Sequence, residues 1–151
     1  MKLDLEPMGT LTVHTGGGSW NFSGGPIAGR SCTAFESVEW TSPYFEATSV
    51  WANGSYRNGP EIAEPNIRIM FNTDDGALLY LDYLARVHLP SNIAGESPSV
   101  LHGAVEIDET HRLAWLNRTA LVGYGILDLT VNTMTYEMGV LRWPGDVGPR
   151  R

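Results

Sequence analysis

The chain has 151 residues and a formal net charge of −7, with 42 % hydrophobic and 18 % charged residues. That length suits one domain with a real core, and the composition excludes a disordered or solvating segment. Seventeen acidic against ten basic residues is the wrong balance for drawing in a phosphate backbone, so neither nucleic acid nor an anionic membrane is an expected partner.

A single cysteine, Cys32, rules out an internal disulfide framework and a thiolate-rich zinc cluster. No apolar run approaches the ~18 residues needed to cross a bilayer as a helix. The opening Met1-Lys2-Leu3-Asp4-Leu5-Glu6-Pro7 alternates charged and apolar residues instead of forming the apolar run of a secretory signal, so a cytoplasmic setting is expected. The sequons at Asn21, Asn53 and Asn117 then say nothing about glycosylation. Arginine outnumbers lysine nine to one, which favours fixed, bidentate contacts to carboxylates.

In chain order, period-two patterning dominates. Thr10-Leu11-Thr12-Val13-His14 alternates polar and apolar residues and predicts a half-buried strand. Breakers follow at Gly16-Gly17-Gly18, Gly24-Gly25-Pro26, Asn53-Gly54 and Asn58-Gly59-Pro60, spaced as an antiparallel meander needs. The clearest predicted hairpin joins 67–73 to 77–87 through Asp74-Asp75-Gly76; a second joins 126–131 to 134–141 through Asn132-Thr133. Residues 91–99, with two Ser/Pro pairs and Gly95, read as a loop over one barrel mouth, and 145–151 as a loose tail. No internal boundary interrupts 1–144. Seven to ten such strands bury their apolar faces most simply by closing, which also removes exposed edges, so an all-β, single antiparallel barrel is expected.

Three segments in order carry a resemblance: Asn72-Thr73-Asp74-Asp75-Gly76-Ala77-Leu78-Leu79-Tyr80, Arg112-Leu113-Ala114-Trp115-Leu116-Asn117-Arg118, and Leu121-Val122-Gly123-Tyr124-Gly125. They resemble the T-D-D-G-A-L-I-Y, R-Y-A-W-L-N-R and F-V-G-x-G motifs of domain-of-unknown-function family 3237, also called uncharacterised protein family 0311. Upstream, Ser42-Pro43-Tyr44-Phe45-Glu46-Ala47 is similar to the family's G-P-x-L-x-G without its flanking glycines. Ser55 stands where many members carry the aspartate of G-G-A-D-W, so no role of that aspartate transfers. The resemblance spans about residues 8 to 141. It implies a calycin-like β-barrel with an interior pocket, assembled as a homodimer or higher homo-oligomer. Similar proteins in natural-product pathways close cyclic ethers without a cofactor.

The residues themselves narrow the chemistry. No dinucleotide or Walker loop occurs, and His14, His88, His102 and His111 lack ligand spacing, so no cofactor and no metal are expected. Five tryptophans and six tyrosines exceed what a small barrel needs as filler, and Trp40, Trp51 and Trp115 fall in predicted strands where rings can line a cavity. Reading 114–121 as a strand puts Trp115 and Asn117 on one face, as in a pocket wall. Within 77–87, one face holds Leu79, Leu81, Tyr83 and Ala85, and the other Tyr80, Asp82, Leu84, Arg86 and, beyond it, His88. Alternation does not decide which points inward. Glu106 lies in the apolar run Ala104-Val105-Glu106-Ile107, where a desolvated carboxyl could deliver a proton. Arg68 could pair with such an acid or hold a phenolate. Asp74 and Asp75, before Gly76, read as turn residues whose oxygens cap local NH groups.

These features favour a cofactor-independent lyase, isomerase or cyclase acting by proton transfer on a small apolar or aromatic metabolite. Ether formation by adding a hydroxyl to an alkene is one case. Glu106 and Asp82 are the candidate acids; Trp115, Asn117, Trp51, Tyr83, Arg68, Trp40 and His88 are the candidate substrate contacts. A non-catalytic small-molecule-binding barrel is the alternative, and a filled structural barrel a third reading. A carboxyl or histidine within reach of the ligand separates the first from the second.

Overall fold

The computed structural model describes residues 4–22, 29–89 and 95–142. Ten strand segments alternate with short turns: β1 (Glu6–His14), β2 (Ser19–Phe22), β3 (Arg30–Ala34), β4 (Ser37–Thr41), β5 (Glu46–Asn58), β6 (Ile62–Thr73), β7 (Leu78–His88), β8 (Glu96–Ile107), β9 (Thr119–Asp128) and β10 (Thr133–Arg142), with a 3₁₀ helix at Ala114–Arg118.

Register reduces the ten segments to eight strands. β3 and β4 pair with β5 in one continuous register, Arg30 with Arg57 through Thr41 with Glu46. They are two halves of a single bent strand. β1 and β2 run along its other edge, Thr10 opposite Thr41 and Ser19 opposite Thr33, interrupted at Gly16-Gly17-Gly18. Each strand pairs with its neighbours in sequence, and β10 returns to β1. The chain is therefore a closed, eight-stranded, up-and-down antiparallel barrel, as the meander of breakers predicts. No helix among the described residues is long and apolar enough to cross a membrane.

The inward parity is now explicit. On β7, Leu79, Leu81, Tyr83, Ala85 and Val87 are buried, while Leu78, Leu84, Arg86 and His88 are exposed on the outer face. Trp40, Phe71, Met8, Leu11, Ile69, Leu79, Leu81 and Val105 fill the interior toward one end. The 3₁₀ helix plugs that end with Leu113, Trp115 and Leu116, all buried. The predicted strand over 114–121 is thus corrected. The first five residues coil because Asn117 grips the end of β8: its Oδ1 accepts from the Ile107 N–H at 2.8 Å and its Nδ2 donates to the Ile107 carbonyl at 2.8 Å.

Of the predicted breakers, Gly24-Gly25-Pro26 lies outside the described residues, and Asn53-Gly54 ends no strand: it lies inside β5 opposite Arg68 and Ile67, where a Cβ on Gly54 would run into the Ile67 side chain. Two further boundaries differ from the reading of the sequence. The β9–β10 turn occupies residues 129–132 and not Asn132-Thr133. Asp128 accepts from the backbone N–H and hydroxyl of Thr130 at 2.8 and 2.6 Å, closing the turn before the alternation of 127–131 can extend a strand. Residues 96–99 are not loop; they open β8, with Ser97 and Ser99 buried inward. Positions 91–94 of that predicted loop, and the tail 145–151, lie outside the described residues.

Candidate functional site

The end opposite the 3₁₀ helix opens into a cavity of about 350 Å³. Its wall is mostly apolar, with Val13, Phe35, Ala63, Ile67, Val87 and Met134 among the lining residues. Three tyrosines line it, Tyr56, Tyr83 and Tyr136, and the last two touch. Tyr83 of β7 and Tyr136 of β10 pack edge to face with ring centroids 6.0 Å apart. The Tyr136 hydroxyl and the Ser99 Oγ lie 2.9 Å apart in a buried hydrogen bond. The Tyr83 hydroxyl hydrogen-bonds to no described residue.

Glycines on neighbouring strands give these rings their room. Gly103 pairs with Tyr83 and Gly125 with Tyr136. A Cβ at Gly103 would sit 2.7 Å from the Tyr83 Cβ, and one at Gly125 2.6 Å from the Tyr136 ring. Desolvation works against phenolate formation. Burial pushes the Tyr136 phenol up to about 12, with the Ser99 hydrogen bond pulling the other way. Burial, and then the nearby Tyr136, raise Tyr83 well above the ordinary tyrosine value. Both stay neutral near pH 7. Each can donate a hydrogen bond to a ligand oxygen; neither is poised as a base.

Of the candidate residues, only Tyr83 lines this cavity. Glu106 stands exposed on the outer face of β8, between buried Val105 and Ile107, so the expected desolvated acid is corrected: its parity points it into solvent. Asp82 and Arg68 face each other across β6 and β7 on the outside, 3.6 Å apart and about half exposed. His88 is exposed at the outer end of β7. Trp51 is also outside, 48 % exposed, because a bulge between Ser49 and Trp51 shifts the register of β5 and reverses the parity that would have buried it.

Trp40 does point inward, but as packed core. It is fully buried, its Nε1 donates to the Met8 carbonyl at 2.8 Å, and Phe45 and Phe71 close around it. Trp115 lies at the plugged end, edge to face with Tyr44 and beneath the Arg142 guanidinium, 4.2 Å from the ring centroid. Asn117 ties backbone and does not line this cavity, with a further hydrogen bond to Glu109 at 2.9 Å.

The Asp74-Asp75-Gly76 segment is a fastening. Asp75 accepts from the Thr73 hydroxyl at 2.6 Å and from Arg112 Nε at 2.7 Å. Its carboxyl is held well below the usual carboxylate range, first by Thr73 and then by Arg112. Arg112 also donates to the Tyr44 carbonyl at 2.7 Å. The Leu113 N–H donates to His111 Nδ1 at 3.2 Å, which leaves the Nε2 proton for Asp75, 3.1 Å away. Two of the three recognised segments therefore clamp the β6–β7 turn to the plug. Sequence reasoning missed Tyr136, Ser99 and Gly103; Gly103 lies directly opposite Tyr83 on the next strand, a pairing that no local pattern reveals, and alternation left the direction of Tyr83 open.

Among the described residues no group of three histidine, cysteine or acidic side chains is placed to hold a metal ion. What the fold and the cavity define is a closed eight-stranded antiparallel barrel: one end plugged, the other leading into an apolar pocket with buried phenols. Residues 3–140 match the family described as protein of unknown function (DUF3237), and the chain belongs to that family. No curated protein matches it. Among solved structures it is similar to a β-barrel-like protein of Acinetobacter baumannii AYE, at 19 % identity over 94 % of this chain and 98 % of that one, TM-score 0.76. A conserved protein of unknown function from Rhodopseudomonas palustris matches at 16 % identity over 93 % and 99 % of the two chains, TM-score 0.80. A protein of unknown function from Clostridium acetobutylicum matches at 14 % identity over 92 % and 99 %, TM-score 0.75.

Proposed function

We propose that this protein binds a small, mostly apolar molecule bearing one hydroxyl or carbonyl oxygen, held inside the open end of the barrel. The Tyr83 hydroxyl carries this reading: a buried phenol facing an apolar cavity, with no described partner, is a hydrogen-bond donor offered to a guest. Apolar walls supply the affinity, and the phenol selects for oxygen. The lining holds no acidic residue and no histidine among the described residues, which favours binding over the proton-transfer lyase, isomerase or cyclase. That second reading keeps one support. Two neutral phenols in a water-poor pocket can stabilise charge developing on a carbonyl or ether oxygen.

The test is calorimetric titration and native mass spectrometry with a panel of prenylated phenols, polyketides and terpenoid alcohols, each beside its deoxygenated counterpart, with product analysis on the same samples. One-to-one binding of unchanged ligand, weakened about tenfold in Tyr83→Phe only for the oxygenated member, is the expected result. Conversion of the ligand would favour the enzyme. Failure of every apolar ligand to bind would reject both readings.

A further inference from the structure

A second hollow lies outside the barrel, on the face of β3, β5 and β6, and encloses about 780 Å³. Register explains its shape. Trp20, Cys32, Ser55, Asn66 and Leu84 follow one another as paired residues from β2 to β7. The middle three side chains are short and form a floor. On one side of that floor the next outward row is Arg30, Arg57 and Glu64; on the other it is Asn53, Arg68 and Asp82. Trp20 stands at one end, 63 % exposed, and the outward-turned Trp51 flanks Asn53.

Charge is concentrated here against the trend of the molecule. Four of the seven arginines among the described residues, Arg30, Arg57, Arg68 and Arg86, share this face of a chain whose net charge is −7. Glu64, the one carboxylate in the lining, lies 3.6 Å from Arg86, and Asp82 lies 3.6 Å from Arg68. Both separations exceed a direct hydrogen bond. Arg30 and Arg57 form no ion pair with a described residue. Guanidinium groups match a carboxylate with paired donors and also stack on flat rings, while an indole face offers a stacking surface. Asn53, Asn66 and Ser55 add neutral donors along the floor. The overall negative charge opposes a polyanion, so a small singly charged guest fits better than a nucleic-acid strand.

We propose that this outer groove binds a small planar aromatic carboxylate, its ring against Trp20 and its carboxylate between Arg30 and Arg57. The groove shares Thr33 and Tyr56 with the interior cavity, but Trp20, Arg30, Cys32 and Arg57 line the groove and not the cavity, and the proposal does not rest on the reading of the interior. Cys32, exposed on the floor and unique in the sequence, makes a local reporter. The experiment measures the rate at which neutral iodoacetamide alkylates Cys32, by intact mass, with 2-naphthoate or uncharged 2-naphthamide present. Expected is slowing of about threefold or more at millimolar naphthoate and none with the amide, the difference coming from the carboxylate pairing. Arg30→Gln/Arg57→Gln, checked for an unchanged melting temperature, should lose that protection, whereas Ala63→Phe, which fills the interior cavity, should keep it. Equal protection by the amide, protection surviving the double arginine change, or protection lost in Ala63→Phe would each overturn the proposal. So would slow labelling without ligand that depends on protein concentration, because a second copy would then cover the groove.

Discussion

Asn117 shows how one side chain can look functional and be architectural. Its amide satisfies both backbone groups of Ile107, and removing it leaves a donor and an acceptor at the mouth of the plug unpaired. Asn117→Ala is expected to lower stability by about 2 kcal/mol in urea denaturation, while binding at the open end changes little; a loss of binding without a loss of stability would return Asn117 to the ligand site. Asp75 makes a prediction in pH. Its folded-state carboxyl lies well below the ordinary value of 3.8, so its contribution is present above that value and fades as pH falls toward the depressed one. Asp75→Asn should therefore be less stable at pH 7, and its melting temperature should fall less steeply than the parent's from pH 5 to pH 3. Parallel curves would place the acid sensitivity elsewhere. The T-D-D-G pattern was legible as a turn. That its aspartate also holds Arg112 from a segment 37 residues away was not, since no local rule pairs residues across such a distance.

At the scale of elements, glycines and bulges decide which way side chains face. Gly9 has φ +77° at the β1 bulge, and a Cβ there would run into the Thr41 carbonyl of the neighbouring strand. Gly76 has φ +83° with open space around it. The backbone cost is similar at both positions, but only Gly9 adds a collision. Gly76→Ala should cost about 1 kcal/mol and Gly9→Ala roughly 3 kcal/mol or more; equal costs in chemical denaturation would mean that β1 can shift away from β4. The same logic explains what alternation misassigned. Period two gave the strands themselves, yet the bulge at Ser49/Trp51 sends Trp51 outward, and the Asp128–Thr130 contacts stop β9 where the alternating pattern continues. A one-residue irregularity reverses every later side chain on its strand, and nothing in 46–58 marks it beforehand.

For the whole molecule, closure through β1 and β10 leaves β2 as the exception. It pairs with β3 alone among the described strands, and Trp20 and Phe22 on it are exposed. Amide exchange should accordingly be fastest in β2 and slowest in β7 and β8, by several orders of magnitude, because local opening of a one-sided strand needs no disruption of the barrel. Protection of β2 equal to that of β7 would show that its free edge is covered in solution.

The strand-rich meander, the β6–β7 hairpin and the family were all readable from the residues alone, because each is written in near neighbours along the chain: alternation, turn chemistry and ordered motifs. Only the tertiary structure decided the site. Whether Tyr83 or Asp82 looks into the barrel depends on how strands are rolled together, and the meeting of Tyr83, Tyr136 and Ser99 depends on strands far apart in the chain. Parity along a strand has two equal answers until closure gives one face to the core and the other to water.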